Sequence, residues 1–453
     1  MPLPTFKGGA HPPDYKSLTE AAPVKVVWPK AGTELLYPVS QHTGKPCTPI
    51  VEKDETVRMG QKIAVSDAFV SAPIHSGVSG VVKEVRDTLT PSGVIMQAIV
   101  IEYDGESTDM IPVTETRDYK QMTKQDMLDI IRDAGLVGLG GAGFPMHVKL
   151  NPPPEKIIDT ILINAAECEP YLTSDYRAIL EESSELIEGI EMLLHMHEGA
   201  KAIIGIEANK PQAIKFLKAK CAGKPFIKIR PLAAKYPQGA EKQLIYACLK
   251  RQVPFGSLPA DMGCIVQNVN TVIAMRNAVL NGAPLIHRVV TIAGGTVKNP
   301  GNYKVPIGMT FQNLIDLTGG LTRRPKKLVA GGPMMGIAMF SLDIPITKTI
   351  SAMLCLTEEE AILPEERVCI RCARCSTHCP VRLLPQELNQ NVQMGDMALF
   401  RKNHGIVCIE CGTCSFVCPG KLQLAQRIRA GKRDVLNPKP ELKPPTGGRT
   451  THA

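Results

Sequence analysis

Cys369-Ile-Arg-Cys372-Ala-Arg-Cys375-Ser-Thr-His-Cys379-Pro380 and Cys408-Ile-Glu-Cys411-Gly-Thr-Cys414-Ser-Phe-Val-Cys418-Pro419 are two copies of one pattern, C-x2-C-x2-C-x3-C-P. Such spacing holds [4Fe–4S] clusters in pairs. Three thiolates on one tight loop reach three irons of a cubane, and the fourth iron takes its ligand from the other run. The expected ligand sets are Cys369, Cys372, Cys375 and Cys418 for one cluster, and Cys408, Cys411, Cys414 and Cys379 for the other. Zinc also takes C-x2-C pairs, but it needs only four ligands. It has no use for a third cysteine, a fourth and a proline, twice over. Two adjacent clusters move single electrons, so the remainder of the chain is read for their source.

At 453 residues the chain has room for about three or four domains. Hydrophobic residues make up 44%, enough for several cores. The start, Met1-Pro-Leu-Pro-Thr-Phe-Lys-Gly-Gly-Ala, lacks an apolar h-region, so no signal peptide is expected. No apolar run approaches the roughly 18 residues of a membrane span. Eight of the 14 cysteines sit in the two runs, and the other six are scattered without a disulfide framework. That usage fits a reducing cytoplasm. The formal charge of +8 does not call for nucleic acid. Clusters with four thiolates each are anions that offset it. A basic face toward an anionic membrane or an acidic protein accounts for it equally well, as does a merely solvated surface.

Outward from the cysteines, the expected fold class is multidomain α/β. Residues 1–115 read as all-β, with short runs at Val24–Trp28, Ile63–Ser66, Gly80–Val85 and Ala98–Glu102 between Pro and Gly. Val57–Ile63 followed by Ala72–Val81 resembles the barrel-sandwich fold of biotinyl and lipoyl carrier domains. No lysine lies between Val70 and Val82 to carry such a group, so this domain is expected to be an unmodified adaptor. Residues 116–285 alternate helix and strand patterns: a helix over Lys124–Ala134 ending at Gly135, a strand over Ile157–Ile163, a long helix through Leu180–Leu194, and a strand over Ala202–Ile206. Residues 286–345, strand–turn–strand then a helix over Thr310–Leu317, resemble a soluble-ligand-binding β-grasp module. The helical two-cluster ferredoxin domain occupies 355–430, and 435–453 read as a disordered tail.

The second informative stretch is Gly135-Leu-Val-Gly138-Leu-Gly140-Gly141-Ala-Gly143-Phe144-Pro145. It follows a helix pattern and not a strand, which is wrong for a Rossmann fingerprint. Its glycines still let backbone amides approach a phosphate or a flat ring; an ordinary flexible loop is the alternative. Farther along stand Lys149, Asn164-Ala-Ala-Glu167-Cys168-Glu169-Pro170, Tyr236-Pro-Gln-Gly239-Ala240-Glu241 and Gln267-Asn268-Val269-Asn270-Thr271. In this order they resemble the flavin- and NADH-binding subunit of respiratory complex I. With the adaptor and the paired cysteine runs, residues 1–430 resemble the C subunits of Rnf ion-translocating electron-transport complexes.

The resemblance implies non-covalent FMN, NAD(H) and two [4Fe–4S] clusters. Gly138, Gly140, Gly141, Gly143 and Phe144 would floor the FMN and NADH site. Lys149, Asn268 and Thr271 would engage the flavin phosphate and ribityl chain. Asn164 and Glu167 would lie along the flavin ring, with Tyr236 and Glu241 nearby, and Glu169 would hold the nicotinamide ribose. Glu167 and Glu169 are thus the candidate catalytic pair; an acidic pair stabilising a helix N-terminus is the plainer alternative. Ala166, Ala240, Met146 and the Gln267–Thr271 segment depart from the complex I pattern, each losing a donor or acceptor. His11, His75, His147 and His378 have no metal-like spacing. The implied protein is peripheral, on the cytoplasmic side of the membrane. Other subunits would bring ferredoxin electrons and move Na+ or H+. A soluble cobalamin reductase of the propanediol-utilisation type would carry its glycine loop near the N-terminus, whereas here about 115 residues precede it. A wiring subunit with an empty nucleotide pocket is the non-catalytic alternative.

Overall fold

Five of the six side chains of the strand Thr160–Ala165 are buried, as a strand covered on both faces requires. It lies in a four-stranded parallel sheet ordered Ile227–Leu232, Lys201–Glu207, Thr160–Ala165, Cys264–Asn268. In chain order that is third, second, first, fourth. The winding therefore reverses between Thr160–Ala165 and Cys264–Asn268, and ligands of such sheets bind beyond the carboxyl ends at that reversal. Asn164 and Asn268 are register partners there. The strand begins three residues later than its apolar run, and Ile157 is exposed. The single long helix expected through Leu194 is two, Ser174–Glu181 and Ser183–Met196, broken at Glu182. Consecutive serines, which compete for backbone hydrogen bonds, mark that break.

The computed structural model describes residues 2–106, 109–362 and 364–437. It divides into two units, Met1–Phe6 with His11–Leu363 and Lys7–Ala10 with Pro364–Ala453. Within the larger unit, Glu34–Pro38, Ile95–Tyr103, Gly80–Leu89 and Thr56–Val57 form one sheet, and Thr48–Pro49, Lys62–Val65 and Ile74–His75 a second. Leu35, Ile63, Ile74, Ile99 and Ile101 fill the core of this barrel-sandwich. Each such side chain contributes about 1.5–3 kcal/mol by leaving water. Where a carrier domain would present its lysine, Ile74, His75 and Ser76 are buried and the Gly77 amide donates to the Tyr37 hydroxyl at 2.9 Å. The helix Lys124–Asp133 opens on a Thr123–Asp126 capping box. It stops at Gly135, whose φ of +66° and close approach to the Pro73 carbonyl admit only glycine.

Three boundaries differ from the sequence reading. Lys25–Val26 does not join the barrel-sandwich; it adds in parallel to Gly301–Pro306, Lys25 opposite Tyr303. The sheet it joins continues through His287–Ala293, Ala352–Leu356, Lys327–Ala330 and Ile337–Met339. This β-grasp sheet runs to Leu356, past residue 345 and into the range assigned to the ferredoxin domain, because its parallel strand Ala352–Leu356 pairs beside the first. Residues before Lys25 also pack against segments beyond the barrel-sandwich. Tyr15 stacks on Tyr171 with ring centroids 4.7 Å apart, and Thr19 Oγ1 meets Thr173 Oγ1 at 2.7 Å. Asn302 joins them, donating to Thr173 Oγ1 at 2.8 Å. Hydroxyl partners so buried satisfy groups that would otherwise cost about 1–3 kcal/mol each.

The smaller unit is helical: Arg374–Thr377, Pro385–Gln393, Met397–Lys402, Thr413–Phe416 and Leu424–Leu436. Leu383, Leu388, Phe400, Leu424 and Ile428 are its core. The Gly9 amide donates to the His378 carbonyl at 2.7 Å, which ties Lys7–Ala10 to this unit. Residues 435 and 436 are the last turn of the final helix, and the remainder of the expected tail, from 438, lies outside the described residues. No helix among the described residues is long and apolar enough to cross a membrane.

Candidate cofactor sites

Both cysteine loops use the same backbone device. Arg371 and Ala373 in the first run, and Glu410 and Gly412 in the second, take φ of 55°, 58°, 57° and 77°. Side chains rarely enter this left-handed region. Alternating it with right-handed residues turns successive N–H groups inward, a concavity that suits anions and iron–sulfur clusters. The Arg371 amide donates to Cys369 Sγ and the Glu410 amide to Cys408 Sγ, both at 3.4 Å. Cys379, Cys408, Cys411 and Cys414 line one enclosed cavity walled by Leu383, Leu388 and Ile428. The Leu383 amide donates to Cys379 Sγ at 3.3 Å. Cys418 is carried to the other loop: the Arg367 amide donates to the Gly420 carbonyl at 2.9 Å, two residues from Cys369 and from Cys418. Burial pushes the Cys408 thiol up to about 11 and that of Cys379 upward, so a metal held there would displace protons. Among the described residues no three His, Cys, Asp or Glu side chains converge on a single ion.

The crevice at the sheet reversal is assembled from distant segments. The Leu139 amide of the glycine loop donates to Thr271 Oγ1 at 2.9 Å, and Arg288 donates to the Leu139 carbonyl at 3.1 Å. Gly143, at φ +61°, closes the loop by donating to the Gly138 carbonyl at 3.1 Å, while the Gly138 amide donates to the Phe144 carbonyl at 2.9 Å. A Cβ on Gly140 would touch Asn268, and one on Gly141 would meet nothing within 4 Å. The open side of the loop thus has backbone free for a flat or phosphorylated ligand. Asn268 caps the helix Val269–Asn281 and donates to Asp175 at 2.7 Å; Asn164 donates to the Gly239 carbonyl at 2.8 Å.

The two glutamates have different surroundings. Glu167, at φ +48°, accepts from the Asp175 amide at 2.6 Å through Oε1, while Oε2 is enclosed with no hydrogen-bond partner. Burial pushes its carboxyl up to about 7 against the pull of the Lys16 ammonium. Glu169 accepts from the amides of Met334 at 3.1 Å and Met335 at 3.0 Å and from the Tyr236 hydroxyl at 3.2 Å. It holds the turn between Lys327–Ala330 and Ile337–Met339. Burial also pushes this carboxyl up to about 7, with the Met334 amide as the main opposing influence. Three acceptor positions of about four are used, so one remains for a ligand hydroxyl. Lys149 and Glu241, expected at the phosphate and near the ring, pair with each other at 2.5 Å. They are part-exposed, so this pair adds no more than about 1 kcal/mol.

Sequence reasoning missed three side chains of this crevice. Lys16 is buried and donates to the Glu169 carbonyl at 2.9 Å and to the Leu172 carbonyl. Lys210 donates to the Ala166 carbonyl at 2.7 Å and pairs with Glu207 at 3.3 Å. Arg288, buried beside Asp175, pins the glycine loop. Nothing local marks any of them; a lysine between Tyr15 and Ser17 reads as surface.

Known families divide the chain along the same parts. Residues 131–277 match the Nuo51 FMN-binding domain and 368–423 the 4Fe-4S dicluster domain; 4–106 match the RnfC barrel sandwich hybrid domain and 289–338 the SLBB domain. The class these define is an electron-transfer protein with FMN and iron–sulfur clusters, related to the complex I flavoprotein. The chain is 46% identical over 387 residues, 85% of its length and 84% of the relative's, to the C subunit of the proton-translocating ferredoxin:NAD(+) oxidoreductase complex of Clostridium ljungdahlii. It is 40% identical, over 95% of its length and 97% of the relative's, to the C subunit of the Na(+)-translocating ferredoxin:NAD(+) oxidoreductase complex of Acetobacterium woodii. An NAD+-reducing [NiFe]-hydrogenase in the H2-reduced state aligns with 70% of this chain and 62% of that chain, at 18% identity and a TM-score of 0.49. The chain belongs to the family of C subunits of ion-translocating ferredoxin:NAD+ oxidoreductase complexes.

Proposed function

We propose that the chain is the peripheral subunit of a membrane ferredoxin:NAD+ oxidoreductase complex at which NAD(H) exchanges a hydride with FMN and single electrons enter or leave through two [4Fe–4S] clusters. It works on the cytoplasmic side, and its partner subunits receive ferredoxin electrons and move Na+ or H+. The observation that carries this reading is the union, in one chain, of a crevice at a sheet reversal with two cysteine loops of inward-turned amides. FMN, which accepts two electrons together and releases them singly, supplies the chemistry between the two. The chain's own groups bind and orient. Gly138, Gly140, Gly141, Gly143 and Phe144 border the ring and the nucleotide. Thr271 and Asn268 hold the loop and the helix start that face the phosphate, with Lys149 poised by Glu241. Asn164 and Glu167 line the ring edge, where Glu167 Oε2 stands ready for a donor. Glu169 offers its remaining acceptor position to a nicotinamide ribose hydroxyl while Tyr236 and the Met334–Met335 amides fix it. The cysteines divide as Cys369, Cys372, Cys375 with Cys418, and Cys408, Cys411, Cys414 with Cys379.

NADH added to the anaerobic, FMN-loaded, cluster-loaded chain is expected to bleach flavin absorption and then cluster absorption. Bleaching by dithionite but not by NADH, with FMN bound, would instead make the chain a wiring subunit.

A further inference from the structure

The two cysteine loops share a backbone and differ in what covers them. In the second, Glu410 is ion-paired with Arg429 and Lys432, each at 3.0 Å, and Lys432 donates to the Cys408 carbonyl at 2.8 Å. In the first, every residue from Pro364 to Arg374 is exposed except the half-buried Cys369. Val368 and Ile370 are 87% and 70% exposed, on either side of that cysteine. Arg367, Arg371 and Arg374 of the same loop are exposed, and none of the three guanidinium groups has an acidic partner among the described residues. Cys372 is itself exposed.

An apolar pair within free arginines has the composition of a protein interface, where arginine is enriched and apolar groups hold the centre. Guanidinium forks match carboxylates bidentately. We propose that this face docks an acidic surface of a protein electron-transfer partner and sets that partner's one-electron centre over Cys372. The inference rests on the reading that the first loop holds a [4Fe–4S] cluster. An electron crossing there is lost by one centre and gained by the other, with no bond made or broken. Anionic lipid would also attract arginine, but lipid has no electron to give or accept, and the patch lies over the more open of the two redox loops.

The test uses the anaerobically reconstituted full chain and membrane vesicles that hold the remaining subunits of its complex but lack this one. Wild-type chain is expected to sediment with the vesicles and to be released as salt is raised, because screening shortens from about 10 Å at 0.1 M to about 3 Å at 1 M. Arg367→Glu/Arg374→Glu is expected to weaken binding by at least about tenfold, since like charges are brought together. Lys215→Glu/Lys218→Glu on the helix Pro211–Lys220 makes the same change of net charge and is expected to bind as wild type. If the arginine variant loses iron, Val368→Ser/Ile370→Ser replaces it, and the same loss of binding is expected. Undiminished binding of these variants, or equal wild-type binding to protein-free vesicles of phosphatidylglycerol and phosphatidylcholine, overturns the proposal. Failure of the wild-type chain to assemble a first-loop cluster, seen in its iron content before any vesicle is added, sinks the underlying reading instead.

Discussion

The cysteine loops and the carboxylate crevice reach their geometry by opposite routes. All eight cysteines of the loops lie within Cys369–Cys418, and the left-handed residues that shape each loop sit between its own ligands. The crevice has no such local logic. Lys16 reaches Glu169 from 153 residues away, and Glu169 takes its two amides from 165 and 166 residues away. A loop that shapes itself is expected to fail alone and completely when a ligand is lost. A site held by many long-range bonds is expected to fail by degrees, through any of its supports.

The largest effect belongs to the loops. Cys418→Ala removes one ligand from the set Cys369, Cys372 and Cys375, to which the Arg367–Gly420 bond brings it. Iron should fall from about eight to about four per chain, for two cubanes reduced to one. Iron and sulfide analysis measures the loss, and site-resolved spectroscopy shows which loop kept its cluster. FMN content and flavin reduction by NADH should stay as in wild type. Damage at the Cys408 set would reverse the crossed assignment; damage at both would mean that the loops do not stand independently.

An intermediate effect belongs to Glu169. Burial raises its carboxyl from 4.5 to about 7. Between those values the folded chain keeps a proton that the unfolded chain has released. Its contribution to stability is therefore full below about pH 4.5 and is lost as pH rises through about 7. A shift of that size corresponds to about 3 kcal/mol. Glu169→Gln cannot titrate, so its stability should fall less than that of wild type between pH 5 and pH 8. Urea unfolding of both proteins at the two pH values checks it, and parallel slopes would refute the assignment of that titration to this residue.

The same contrast explains what was legible in the sequence. Cysteine spacing is read by counting, and Cys379 lines one cavity with Cys408, Cys411 and Cys414. The parallel strands were visible as apolar runs because both of their faces are covered. Lys16 was not legible, because what makes it a site residue is two carbonyls that only folding delivers. Lys25–Val26 is exposed and two residues long, so no periodicity could say which sheet it would join. Glu169 was picked out by a motif, but its bond to the turn at Met334 lay beyond any motif.

The smallest effect separates anchoring of the glycine loop from anchoring of the sheet. Thr271 is fully buried and its hydroxyl accepts from the Leu139 amide. Thr271→Val keeps the branched shape and removes that acceptor. Water or another turn of the loop must then satisfy the amide, at a cost of about 1–2 kcal/mol. The Leu139 carbonyl stays bound to Arg288, so the loop is loosened at one end and not released. If the ring of FMN lies on this loop, that cost appears as about 5- to 30-fold weaker flavin binding, since 1.4 kcal/mol is about tenfold. Iron content should not move, because the cysteine loops draw none of their shape from Thr271. Thr271→Ser, which restores the acceptor, should recover most of the affinity. FMN fluorescence titration of the three proteins measures the effect. Equal affinities would mean that flavin, if it binds this crevice, is indifferent to how the loop is pinned.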